Sequence, residues 1–529
     1  MNVVSEYFHQ LAAGPVRPLD WQLGISWSKE LDNETAWFTL DQSTLNGSDI
    51  LADNNQNPIM MWDAYDYENS RDRVISINVE RSVQFPYNIQ AAVMDVKLNN
   101  YDGYYTYANE SSPISEYILP SRPIRSYLGF SGAGLTPVFV GLTEAIPEYS
   151  GVKNEVASMS ALDFLAAIGD MQLKEVVMMR DVRTDEVIEV ILQQFGLSPS
   201  MYNLKHGINV IPFVYYSSGK NAGNALKELI QAENGAMWID EQGVIRFEPR
   251  TSIIGQDPVM EFSSSSIVSI EPSGSEEIIN TVNIEVDIRK VQDFQPIFTA
   301  DNSNGYSGAA ADDSYRIPAN GSKVIWFSLD DPAWTASDFV FDGPADDSSF
   351  TAVNLSGEAV TSGLSATDGT LFADSYKVTF NNANNYPVSL NYVQLWGQPA
   401  KVVGESPSIK YNAYDEKSVE AFGVRELTIT DNQCFGSYQN VDSYAESILE
   451  RYKDYNPTIT MEVKGDPSLQ MQDMFTISDG DYAGTWIILG ISHKLEDSKL
   501  TTKIKARRQE VISPFTLDVS QLNGPDVLG

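Results

Sequence analysis

Two sets of strictly alternating residues, far apart in the chain, set the strongest limit on the fold. In "VISINVE", Ile75, Ile77 and Val79 alternate with Ser76 and Asn78; in "MDVKL", Met94, Val96 and Leu98 alternate with Asp95 and Lys97. "LTPVFVGLTEAIPEY" adds a strand pair near Val138 and Val140. Near the other end Ile459, Met461 and Val463 alternate, "GTWIILG" follows, and Leu500, Thr502, Ile504 and Ala506 alternate with Lys503, Lys505 and Arg507. Between them, "TVNIEVDIRKV" turns Val282, Ile284, Val286 and Ile288 to one side and Asn283, Glu285, Asp287 and Arg289 to the other. Period two with one polar side specifies half-buried antiparallel strands. The chain is therefore β-rich, with more than one β unit.

Helical periodicity interrupts this pattern. "SALDFLAAIGD" offers Ser160 as an N-cap and halts at Gly169; "TDEVIEVILQQFG" offers Thr184, with Asp185 and Glu186 in the first turn where acids favour the helix dipole. Val187, Ile188, Ile191, Leu192 and Phe195 form its buried side. In "NALKELIQAENGAMWIDEQGVIRFEPR", Ala225, Leu226, Leu229 and Ile230 share a face, Asn234-Gly235 is a stop signal, and two short strands flank Glu241-Gln242-Gly243. "NVDSYAESILERYKDYNP" is a further helix, from Asp442 to a stop before Pro457.

These signals give an α+β, β-rich organisation. Residues 1–72 read as an N-terminal extended arm, 73–157 as a first β-barrel or sandwich, and 158–257 as a helical α/β module with a hairpin. Residues 258–293 with 399–430 read as a second β region, 294–398 as an inserted β-sandwich, 431–512 as a helix plus β unit, and 513–529 as a tail. The insertion stands apart by composition: Arg316, Lys323 and Lys377 are its only basic residues, against twelve acids.

With 529 residues the chain exceeds one core, and 42% apolar content lets each unit bury its own. Lys and Arg total 35 against 72 Asp and Glu, a net charge of −37, which argues against a nucleic-acid grip or adhesion to anionic membranes. Acidic walls would suit a passage through which nucleic acid slides without sticking; the plainer reading is solubility. The single cysteine, Cys434, precludes an internal disulfide. No secretory signal opens the sequence and no run reaches the ~20 apolar residues of a membrane span, so folding in a reducing cytoplasm is expected.

Motifs for chemistry fail. His9, His206 and His493 lie far apart, and no H-E-x-x-H helix is present. Around Gly219-Lys220 a phosphate loop would need Gly at Val214 and Ser or Thr at Asn221. A calcium loop centred on Gly103 would put Leu98 at its first ligand, so Asp102-Gly103 reads as a turn. Ser307 has Gly305 before it but Ala309 in place of the trailing Gly of a nucleophile elbow. Acid pairs for glycoside hydrolysis are plentiful but undistinguished from a solvated surface. The expectation is no catalytic, cofactor-binding or metal site.

The order of several stretches resembles the bacteriophage tail hub family, also called baseplate or tail tip hubs. "RVISINVERS", "KLNNYDGYYT", "SSPISEYILPSRPIRSYLGF" and "VFVGLTEAIPEY" resemble the family's first barrel. "SALDFLAAIGDMQL", "RTDEVIEVILQQFGL" and "ALKELIQAENGAMWIDEQGVIRF" resemble its helical module, and "TITMEVKGDPSLQMQDMFTISD" with "GTWIILGISHKLEDSKLTTKIKARR" its closing β unit. The resemblance covers roughly 73–250 and 440–510. It implies two tail-tube-like barrels per subunit and a homotrimer closing the distal end of a tail tube in the virion, assembled in the host cytoplasm. It also implies partners: distal tail or tube proteins, the tape-measure protein, and fibre or receptor-binding proteins, with DNA passing transiently during ejection. It makes the 224–250 cassette structural, with Trp238 in a core. The arm and the acidic insertion depart from the family pattern. An alternative is a carbohydrate-binding adhesin acting through Trp326 or Trp396 of the insertion; a cell-wall hydrolase is a third reading.

Overall fold

A computed structural model describes residues 4–14, 16–27, 67–83, 90–150, 155–252, 257–275, 278–301, 315–404 and 406–509. Most of the arm expected at 1–72 and the tail at 513–529 lie outside the described residues.

One 14-stranded sheet dominates. Eight of its strands come from residues 19–162 and six from 260–508. The two groups meet where Val74–Ser82 pairs antiparallel with Gly484–Glu496, from Ser76 opposite Glu496 to Ser82 opposite Gly490. From this junction the first half runs through Val93–Asn99, Val156–Leu162, Gly134–Thr143 and Pro123–Phe130 to Leu19–Ile25 and Glu68–Asn69. The second runs through Lys499–Arg508 and Pro457–Lys464 to Ile267–Ser275.

Two tube-like barrels are the expectation from sequence; the pairing among the described residues closes neither. The sheet's outermost strands, Glu68–Asn69 and Ile267–Ser275, each have one strand neighbour. Alternation fixes which side of a strand is buried, whereas closure depends on tilt and on the pairing of the end strands. Each half nevertheless has its own core. Ile77, Val79, Met94, Val96, Leu98, Ile124 and Val138 cluster on one side of the junction. Ile459, Met461, Val463, Phe475, Trp486, Ile488 and Ile504 cluster on the other. Ile75 departs from its expected inward place and is 40% exposed, because a register shift between Val74 and Ser76 resets the alternation there.

Before the sheet, α1 (Glu6–Ala13) is capped by Ser5, whose Oγ accepts from the Phe8 N–H at 3.2 Å. Leu19–Ile25, inside the segment read as an arm, is a strand paired along its whole length with Pro123–Phe130. The helical module holds α2 (Phe164–Asp170), α3 (Thr184–Gln193) and α4 (Ala222–Glu233). Asp163, not Ser160, caps α2; Ser160 stays in the preceding strand and bonds Asp95 at 2.7 Å. Beyond lie α5 (Glu416–Phe422) and α6 (Tyr438–Tyr452), the latter starting earlier than Asp442 because Ser437 supplies the cap.

The strand "TVNIEV" (Thr281–Val286) pairs with Ile409–Tyr414 and Glu426–Thr430 in a separate three-stranded sheet. Its Val282 and Ile284 share a core with Ile191, Leu229 and Ile448 of α3, α4 and α6. The large sheet's second half is instead built by 457–508 together with 260–275. The strand's own alternation is the same in either sheet; only its partners decide.

Within 289–402 a seven-stranded and a three-stranded sheet face each other across one core. Phe327, Phe339, Phe350 and Phe380 meet there with centroids 4.8–6.3 Å apart. This unit touches the helical module through Tyr215 Oη to Asp374 at 2.8 Å and Arg180 over Trp334 at 5.7 Å. Arg289 bonds Asp331 at 3.0 Å near its base.

Candidate functional site

The junction of the half-sheets gathers buried charge. Arg81, on Val74–Ser82, is 3% exposed and lies 3.5 Å from the Glu241 carboxylate, itself 1% exposed. Glu241 comes from the turn of the 224–250 cassette and also accepts from Gln470 Nε2 at 2.5 Å. Burial pushes the Glu241 carboxyl up, opposed by Arg81 and Gln470. Asp163 accepts from the Ala92 and Leu165 N–H groups at 2.7 and 2.9 Å; burial raises it to about 6 against those bonds and Arg81. His493, fully buried and 2.9 Å from Thr502 Oγ1, is pushed down to about 4 by burial and by Arg81. This cluster ties the first half, the module and the closing strands into one body.

An outer strap crosses the same boundary. Phe8 of α1 packs edge-on against Phe130 of the first half, at 4.9 Å. His9 Nδ1 lies 3.5 Å from Asp466 of the second. Arg17 donates to the Gly465 and Leu500 carbonyls at 3.3 and 2.9 Å. The Asp466 hydrogen bond raises the His9 pKa; for Asp466, burial is outweighed by bonds from His9 and Ser468, and its carboxyl is lowered.

The cassette itself is architecture. Ala236–Ile239 and Ile245–Glu248 form the hairpin, and Trp238 is 8% exposed within the second half's core. Asp240 accepts from the Gln242 and Val244 N–H groups at 2.9 and 3.0 Å and pairs with Arg246. The left-handed residue ending α4 is Asn234, φ 52°. Gly235 is needed for another reason: a Cβ there would sit 2.7 Å from the Glu248 carbonyl oxygen.

The rejected chemical motifs have structural partners. Asp102 binds Arg73 through both oxygens at 2.9 and 2.8 Å, and Lys220 pairs with Glu228 at 2.7 Å. Cys434 is buried 3.0 Å from Tyr216 Oη, and burial raises its thiol. Among the described residues no group of three or more His, Cys, Asp or Glu is placed to hold a metal. No described helix is long and apolar enough to cross a membrane.

The face of the large sheet opposite its cores is polar and continuous across the junction. Register sets Asp95, Asn78, Lys494, Thr501 and Lys464 in one row. Glu80, Ser492, Lys503 and Glu462 form the next. Lys97, Ser76, Glu496 and Lys499 form a third. Lysines and acids are interleaved, and Lys494 bonds Glu496 at 2.6 Å. Sequence shows these residues as the polar partners of alternation; that they form one wall follows only from the long-range pairing.

Of the insertion's candidate residues, Trp326 is 56% exposed, whereas Trp396 stacks on Phe294 at 5.9 Å and donates to Gln394 at 2.9 Å.

No family model matches the chain. No curated protein matches it either. Solved structures do. The 43 kDa tail protein of prophage MuSo2 from Shewanella oneidensis is 10% identical, with a TM-score of 0.44 over 84% of this chain and 96% of that one. A tail protein from Neisseria meningitidis is 8% identical, with a TM-score of 0.45 over 84% and 94%. The prophage tail protein gp18 from Listeria monocytogenes is 10% identical, with a TM-score of 0.40 over 84% and 92%. These structural neighbours are phage tail proteins.

Proposed function

We propose that this protein is a structural virion component, a hub that closes the distal end of a phage tail tube as a homotrimer. One observation carries the reading: a single sheet bearing two separately cored lobes, one from residues 19–162 and one from 260–275 with 457–508. Three copies would offer six lobes, the number a sixfold tube requires. The buried junction and the α1 strap fix the two lobes in one subunit, as a load-bearing collar needs. In this reading the protein seats the tape-measure end, anchors fibre or receptor-binding proteins, and lets DNA leave when the tip opens.

The polar wall is assigned to the passage. Lys97, Lys464, Lys494, Lys499, Lys503 and Lys505 share that face with Glu80, Asp95, Glu148, Glu271, Glu462 and Glu496. The carboxylate lining suggested by net charge is thus replaced by a wall near neutrality. DNA carries a charge about every 1.7 Å, and screening extends about 8 Å at physiological salt. Interleaved signs give it neither a grip nor a strong barrier.

Light scattering coupled to size exclusion tests the assembly. A trimer is expected, alone or on adding a tube or distal-tail partner. A monomer under both conditions, or particles lacking threefold order in electron micrographs, overturns the reading.

A further inference from the structure

We propose that the outer face of the insertion's three-stranded sheet binds a neutral polysaccharide, with Trp326 as its stacking platform. The inference goes beyond the hub reading and does not depend on it. The sheet comprises Gly321–Ser328, Ser375–Asn382 and Leu364–Leu371. Ile325 and Phe327 point into the insertion's core, so alternation turns Trp326 outward, where it is 56% exposed. Phe372, 42% exposed, lies beside it with ring centroids 5.2 Å apart at 34°. Two large rings left in water side by side, on a sheet with a complete core behind it, form a platform that the fold does not use.

Polar groups flank the platform at strand spacing. Lys377 is directly opposite Trp326, with its ammonium 5.6 Å from the indole. One pair further along, Thr379 faces Thr367, and Asn381 Nδ2 donates to Thr367 Oγ1 at 3.1 Å. A pyranose ring has an apolar C–H face and a rim of hydroxyls. The indole accommodates the first, and the threonine hydroxyls and Asn381 amide meet the second. The open sheet face accommodates successive sugars of a chain better than one enclosed small molecule.

Charge selects the class. The insertion holds twelve acids against three bases, which disfavours nucleic acid and other polyanions. On the face itself Lys377 is one positive charge, and Asp368, in the adjoining bulge, accepts from the outward Thr367 hydroxyl at 3.3 Å, so the face carries one charge of each sign. An uncharged glycan matches that balance. Trp396 is not part of the site, since it lies on the other, seven-stranded sheet and is only partly exposed.

The test titrates the full chain with hexasaccharides of glucose, mannose and N-acetylglucosamine, and with polygalacturonate as the anionic comparison, following tryptophan fluorescence. Saturable binding of at least one neutral sugar is expected. Trp326→Ala should weaken it about tenfold or more with unchanged thermal melting, Trp326→Tyr should restore part, and Lys377→Ala should change it less than about threefold. No binding to any neutral probe, preference for polygalacturonate, or undiminished affinity in Trp326→Ala overturns the proposal.

Discussion

The half-sheet junction and the insertion solve the problem of cohesion in opposite ways. The junction places Arg81 and Glu241, both at most 3% exposed, between two apolar cores. The insertion closes on phenylalanines and aliphatics with no ion pair among its core residues. A buried pair stabilises little compared with a well-packed apolar substitute, yet losing one member strands the other charge. An apolar core is forgiving of geometry and depends on filled volume. The junction therefore makes distant segments depend on one another, while the insertion stands on its own contacts and touches its host at few points.

The strongest test of this contrast is Arg81→Met. It should destabilise the host sheet by about 3–5 kcal/mol by leaving the buried Glu241 carboxylate without its cation, with the Gln470 amide still donating to it. Hydrogen exchange should show lost protection in both halves while the insertion's strands keep theirs. Leu395→Ala, in the insertion core, should cost about 3 kcal/mol through lost burial and a cavity, with the change in exchange confined to 294–398. If both variants loosened both regions equally, the contrast would fail. The double variant Arg81→Met/Glu241→Leu sharpens it: denaturant midpoints should recover to within about 1–2 kcal/mol of the parent, since neither charge remains.

The smallest effect is the strap's. The His9 pKa is raised by Asp466, so its contribution is complete below the unfolded histidine value and disappears as pH rises through the raised folded value. His9→Gln should lower stability by about 1 kcal/mol near about pH 6 and leave it unchanged near about pH 9. Urea midpoints at the two pH values provide the check.

Much of this was legible in the chain. Alternation at Met94, Val96 and Leu98, or at Ile459, Met461 and Val463, depends only on local chemistry, and those side chains are all buried. Asp185 and Glu186 occupy the first turn of α3 as the composition there dictates, but Arg183, not Thr184, is the N-cap. Thr184 is the first helical residue and its hydroxyl donates to Glu233 instead, a partner the local sequence does not reveal. What could not be read is pairing across distance. Arg81 in "VISINVERS" looks like any charge ending an exposed strand; its burial depends on Glu241, in a separate module. Thr281–Val286 has the alternation of a tube strand and pairs elsewhere. Trp326 and Trp396 are equivalent on paper, and only the pairing that puts them on different sheets, with Trp326 the more exposed, separates their fates. The polar wall, too, exists only once Val74–Ser82 lies beside Gly484–Glu496.

That last ladder has a mechanical consequence. Seven consecutive residue pairs, Ser76 through Ser82, span the line between the lobes. A plate stitched so continuously resists folding along its middle. In the threefold collar proposed above, widening would come at the seams between neighbouring copies rather than within a plate.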